Sequence, residues 1–170
     1  MSMSTSMSYG YGFELTNMTK ELFIKFIDNH ASTILRLMTE TKNTEQSKFM
    51  KELLDCCRNI INETDKNNLK ILDQRFHEII DPYEYTNEEY AIIANIMSQE
   101  TQIEFNYEPG QESCDSPKAI MLGETLPWNY NTTELNLKSA DDLKNIMKPF
   151  AKELGIAEKD IDYLAIEYYG

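Results

Sequence analysis

The chain has 170 residues, 41% of them hydrophobic and 26% charged, which is enough material for one domain with its own core. These ordinary globular values exclude a disordered or collagen-like chain. Formal net charge is −13, and no apolar run approaches the ~18–20 residues that a membrane-spanning helix needs.

The start, MSMSTSMS, is small, polar and repetitive, so residues 1–8 are expected to form a flexible tail ahead of a single domain over 9–170. YGYGFEL, residues 9–15, alternates strictly. Tyr9, Tyr11, Phe13 and Leu15 share one face, which predicts a strand. Gly10 and Gly12 on the other face weaken it, or let another element come close. A helix follows, capped by Thr19, with Leu22, Phe23, Phe26, Ile27, Ile34, Leu37 and Met38 as one stripe. Thr44 is predicted to cap a second helix with stripe Phe49, Met50, Leu53, Leu54, Cys57, Ile60 and Ile61. A third runs from Asn68 to Ile80 and ends at Pro82.

Thr86 and Glu89 form a capping box before a fourth helix that carries Tyr90, Ile93, Ile96 and Met97. The period then changes to two. Ile103, Phe105 and Tyr107 alternate with Glu104, Asn106 and Glu108, a half-exposed strand with acids outward. Pro109-Gly110 turns the chain, Gln111 to Pro117 is a polar loop, and Lys118 to Glu124 reads as a buried strand. Thr125 to Leu137 is irregular. Ser139 and Asp142 open a fifth helix through Leu143, Ile146, Met147, Phe150 and Leu154. Gly155 stands where a left-handed residue ends a helix. Asp162 to Tyr169 closes the chain as a strand. The expected fold is α+β in the order βαααα-ββ-αβ, with helices on one face of a small three- to four-stranded sheet.

Charge is distributed unevenly. Residues 1–77 hold ten acids and ten bases, whereas residues 78–170 hold nineteen acids and six bases. From Phe76 to Pro117 there is no Lys or Arg against ten acids. Direct binding of nucleic acid or of an anionic membrane through this half is disfavoured, because phosphate contacts need Lys and Arg.

Motifs for chemistry are scarce. His30 and His77 have no second ligand at metal-binding spacing. Cys56 and Cys57 are adjacent, not spaced as a redox pair, and Cys57 falls on an apolar stripe. Cys114 sits beside Glu112 and Asp115, which raise a thiol pKa. The acidic loops at Asp81–Glu84 and Glu112–Asp115 do not match a calcium loop. No phosphate-binding glycine motif and no nucleophile elbow occurs, so no cofactor or metal is expected. Three N-x-[ST] sequons start at Asn17, Asn62 and Asn131, and without a basic n-region or apolar h-region a cytoplasmic location is expected.

What remains is acids interleaved with aromatics. DPYEYTNEEY packs Tyr83 and Tyr85 among Asp81, Glu84, Glu88 and Glu89, and Glu104 and Glu108 extend the acidic run. Tyr is a typical interface anchor, and complementary charge speeds and orients docking. These eight residues are the predicted partner-binding set.

Ser98 to Gly110 (S-x-E-T-x-I-x-F-x-Y-x-P-G), Leu126-Pro127-Trp128 and the ending DYLAIEYYG carry a resemblance. Over under half its length the chain resembles small acidic proteins of low-GC Gram-positive bacteria and their phages, a group that brings no activity with it. The resemblance implies a phage or mobile-element origin and makes inhibition of host defence a natural role. The expected function is therefore non-enzymatic: an anti-CRISPR-like inhibitor that occupies a basic, nucleic-acid-binding surface of a host protein. The alternative is a small enzyme or ligand-binding domain with a pocket between sheet and helices.

Overall fold

A computed structural model describes residues 5–15, 17–80, 88–108, 119–122 and 140–169. It is an α+β chain in which helices predominate. Two compact units are drawn from it, one from Met1–Thr19 and Ile93–Gly170, the other from Lys20–Ile92.

In the second unit four helices follow one another: α1 (Lys20–Asn29), α2 (Ala31–Glu40), α3 (Thr44–Asn62) and α4 (Lys66–Ile80). They bury their stripes against one another, α1, α2 and α4 each packing on α3. Phe26, Ile27 and Cys57 are fully buried, and Leu53 is 1% exposed. The predicted first helix is two helices, because His30 leaves helical geometry at φ −107°, ψ 23°. Hydrogen bonding nearly bridges the break: the His30 amide donates to the Phe26 carbonyl, and the Ile34 amide to the His30 carbonyl. The apolar period therefore runs through it, from Ile27 to Ala31 and Ile34, and the sequence reads as continuous.

Both later starts in this unit lie earlier than predicted, the α3 cap by one residue and the first residue of α4, Lys66 against Asn68, by two. Asn43, not Thr44, caps α3, its Oδ1 accepting from the amides of Glu45 (3.1 Å) and Gln46 (3.2 Å). Asp65 opens α4, its Oδ1 accepting from Asn67 and Asn68. Each carboxylate or amide oxygen satisfies donors that a helix start leaves without partners. Ion pairs Lys20–Asp73, Arg58–Asp28 and Arg75–Glu52 tie the helices at the surface. Exposed pairs of this kind contribute about 0–1 kcal/mol each.

The helix α5 (Glu88–Thr101) crosses from one unit to the other at Ile92–Ile93. Its predicted cap, Thr86, lies outside the described residues. Its C-terminal end is held by Gln102, which takes a left-handed φ of 59° and donates its amide to the Ser98 carbonyl at 2.9 Å.

The first unit carries the strands β1 (Thr5–Glu14), β2 (Asn106–Glu108), β3 (Ala119–Leu122) and β4 (Asp162–Tyr169), and the helix α6 (Ala140–Glu153). β1 and β4 form the longest ladder, antiparallel, from Thr5 opposite Tyr169 to Gly12 opposite Asp162. β3 pairs with the other side of β1, and β2 with β3, in the order β2-β3-β1-β4. β1 starts at Thr5, four residues before the alternating YGYGFEL. Tyr11, Phe13 and Leu15 are buried, and so are Gly10 and Gly12, so both faces of β1 are covered. α6 packs on β1, consistent with the close approach that paired glycines permit.

The strand predicted from Ile103 shrinks to β2 because side chains intercept its amides. The Ser98 hydroxyl accepts the Phe105 amide at 2.9 Å, and Thr101 Oγ1 accepts that of Ile103 at 3.2 Å. Ile103 and Phe105 are nonetheless buried, as the alternation predicts. Gly155 ends α6 at φ 78°. The Ile156 amide reaches the Ala151 carbonyl at 2.8 Å and the Gly155 amide that of Lys152 at 3.2 Å, the bond pair of a Schellman motif. Pro149 stands inside α6, where it removes one helical hydrogen bond, and both Pro149 and Asn145 four residues before it are exposed.

Candidate interaction surface

The predicted partner-binding residues fall in both units. Asp81, Tyr83, Glu84 and Tyr85 lie outside the described residues. Glu88 and Glu89 are the first two residues of α5, in the Lys20–Ile92 unit. Glu104 and Glu108 belong to the other unit. Glu104 is exposed between α5 and β2, and Glu108 ends β2 opposite Ala119.

The described residues do bring acids and aromatics together, at a place the sequence pointed to only in part. Tyr11 of β1 and Tyr163 of β4 stand directly opposite each other in the ladder. Their rings meet edge to face, centroids 5.0 Å apart and planes at 80°. Such pairs contribute about 0.5–1.5 kcal/mol beyond the area they bury. Tyr11 is 5% exposed and Tyr163 36% exposed, so one ring anchors the pair and the other faces solvent. Burial pushes the Tyr11 phenol above its ordinary pKa, and the carboxylates of Asp162 and Asp141 and the Tyr163 phenol push it the same way. Asp162 acts on Tyr11 from the start of β4 and Asp141 from the first turn of α6. Both are exposed.

Local chemistry explains their positions. An acid in the first helical turn is favoured by the positive helix end, which suits Asp141 and Asp142. Asp162 accepts the amide of Tyr163 at 2.8 Å, which fixes the chain as it enters β4. Glu158 and Asp160 precede it in a 3-10 turn and are also exposed. Lys148 pairs with Glu158 at 2.6 Å, leaving the carboxylates of Asp160 and Asp162 without an ion pair among those described. The signal for this cluster was present as Tyr163 beside Asp162. Its partner Tyr11 sits at the far end of the sequence and only the ladder joins them.

The other candidate groups take structural places. Cys56 is buried, with its Sγ 3.6 Å from the Leu72 carbonyl, and burial raises its pKa, opposed by Arg75 and aided by Asp73. Cys57 is fully buried, and desolvation, then Cys56 and Asp28, push its thiol up to about 12. A thiol so raised is a poor nucleophile. His30 packs its ring 4.3 Å from that of Phe26. His77 is exposed beside Phe76 near the end of α4. Among the described residues no group of three or more His, Cys, Asp or Glu is placed to hold a metal ion.

In the helical unit, two open depressions lie along α3 and α4. One of about 370 Å³ is lined by Asn59, Asn62, Glu63, Asn68, Ile71 and Leu72, the other of about 220 Å³ by residues that include Asp55, Cys56 and Arg75. Glu63 in the first and Arg75 in the second are already engaged. Glu63 accepts from the Thr64 and Asp65 amides and from Asn68, and Arg75 pairs with Glu52. Among the described residues no helix is long and apolar enough to cross a membrane. No protein-family model matches the chain, and no curated protein or solved structure is similar enough to it to count as a match.

Proposed function

We propose that this chain is a non-enzymatic interaction protein that engages a basic surface of another protein. The observation that carries the reading is the acid–aromatic cluster: the edge-to-face pair of Tyr11 and solvent-facing Tyr163, with exposed Asp162 and Asp141 acting electrostatically on Tyr11. An aromatic ring offers contact area at low entropic cost, and flanking carboxylates supply orientation and a fast approach. The acid-rich segment from Asp81 to Glu89 offers the same chemistry a second time. Nucleic-acid-binding proteins carry the strongest basic surfaces, and carboxylates can stand where phosphates would. An inhibitor of phage origin that blocks such a protein, in the manner of an anti-CRISPR, fits this chemistry and the resemblance of the C-terminal half.

Capture from host lysate tests the reading with three baits: the unaltered chain, Asp141→Asn with Asp162→Asn, and Glu84→Gln with Glu88→Gln and Glu89→Gln. A basic prey is expected on the first bait, reduced on the others and eluted by salt, since surface charges are screened beyond about 10 Å at 0.1 M. A prey held equally by all three baits refutes the electrostatic account.

A further inference from the structure

β4 is the terminal strand of the sheet order, and its inner edge is paired with β1 along all eight residues. Among the described residues no strand pairs with its outer edge. An edge strand turns unpaired amides and carbonyls outward on alternate residues, a template for another chain. Proteins usually blunt such edges with Lys, Pro or a bulge. DYLAIEYY contains neither Lys nor Pro, and its register with β1 runs without a gap. Asp162 and Ala165 are exposed and Tyr163 faces solvent. The charges within the strand, Asp162 and Glu167, are both negative, and exposed Glu158 and Asp160 stand just before it.

We infer that β4 is the docking edge for an extended, Lys- or Arg-bearing segment of the partner protein, which adds to the sheet as a further strand. The inference rests on the interaction reading above and specifies its mode. Main-chain hydrogen bonds supply affinity in this kind of recognition, and side chains supply choice. Here choice comes from charge: residues directly opposite in adjacent strands have Cβ atoms about 4.5–5.5 Å apart, within reach of a Lys–carboxylate pair. A second copy of this chain is the wrong occupant on the same ground, since it brings a further −13 and sets carboxylates against carboxylates.

The test uses the full chain at low salt and two synthetic peptides. One is Lys-Val repeated five times. The other has the same sequence, N-methylated at every residue, so it carries equal charge but no amide proton. The unmodified peptide is expected to bind about tenfold tighter or more, a difference of about 1.4 kcal/mol. It should also slow hydrogen exchange of the alternate, outward-facing amides between Asp162 and Tyr169. Asp162→Asn keeps the acceptor for the Tyr163 amide and removes the charge. Together with Glu167→Gln it should weaken the peptide while leaving thermal unfolding unchanged. Equal binding of both peptides, or unchanged exchange in β4, overturns strand addition and leaves the broader reading standing. Slow exchange of the outward-facing β4 amides in the free protein, or sedimentation as a dimer through this edge, overturns it too. Failure of the broader reading looks different, because the neutralised baits then keep their prey.

Discussion

Cys57 makes the alkaline stability of this protein calculable. Its thiol is fully buried and raised from 9.0 to about 12, burial being the largest cause. In the unfolded chain it titrates near the ordinary value. A folded pKa above the unfolded one means that the contribution is fully present below about pH 9 and is lost as pH rises toward 12. At pH 10.5 the unfolded chain has released the proton and the folded chain has not, so stability falls by about 2 kcal/mol relative to pH 8. Cys57→Ala removes the titration and leaves a small cavity that costs about 1 kcal/mol at pH 8. The two chains should therefore change places: the native chain is more stable at pH 8, and Cys57→Ala is more stable at pH 10.5. Urea unfolding under reducing conditions, followed by circular dichroism of the helices, measures both. Tyr and Lys titrate in the same window in both chains and cancel in the difference. A stability gap that stays the same at the two pH values would falsify the buried-thiol reasoning.

Three further substitutions probe single features of the fold by the same unfolding assay. Gln102→Gly should stabilise by about 0.5–1 kcal/mol, because φ 59° costs Gln strain that glycine lacks; a loss of stability would mean the Gln102 side chain, which donates to the Gln99 carbonyl, outweighs that strain. Asp65→Ala should cost about 1 kcal/mol by stripping the α4 cap, and no change would show that water caps the helix as well. Ser98→Ala should cost about 1–3 kcal/mol, since it strands the amide of buried Phe105, whereas Ser98→Thr should recover most of that loss.

The stripes of α1 to α3, apart from exposed Ile61, the left-handed Gly155 and the span of β4 were legible in the sequence because each is a local matter. A 3.6-residue period, a glycine after the last periodic residue and a run of alternating β-formers are decided within a few residues of chain. The break at His30 was not legible, since the apolar period continues through it. Nor was the late start of β2: the alternation at Ile103 and Phe105 reports burial correctly, but two hydroxyls had already taken the amides a ladder would need. The surface cluster was half legible. Asp162 and Tyr163 are neighbours in sequence, while Tyr11 and Asp141 reach them only through β1 and α6.

The sequence by itself therefore determined the class of the fold, the faces its elements bury and the excess of negative charge in residues 78–170. Tertiary structure alone decided that β4 ends the strand order among the described residues and that Tyr11 and Tyr163, from opposite ends of the sequence, meet. The reason is physical. Burial preference is a property of each residue and its near neighbours, so it is written in periodicity. Which strand pairs with which, and which edge is left open, depends on contacts between distant segments, and no local pattern encodes them.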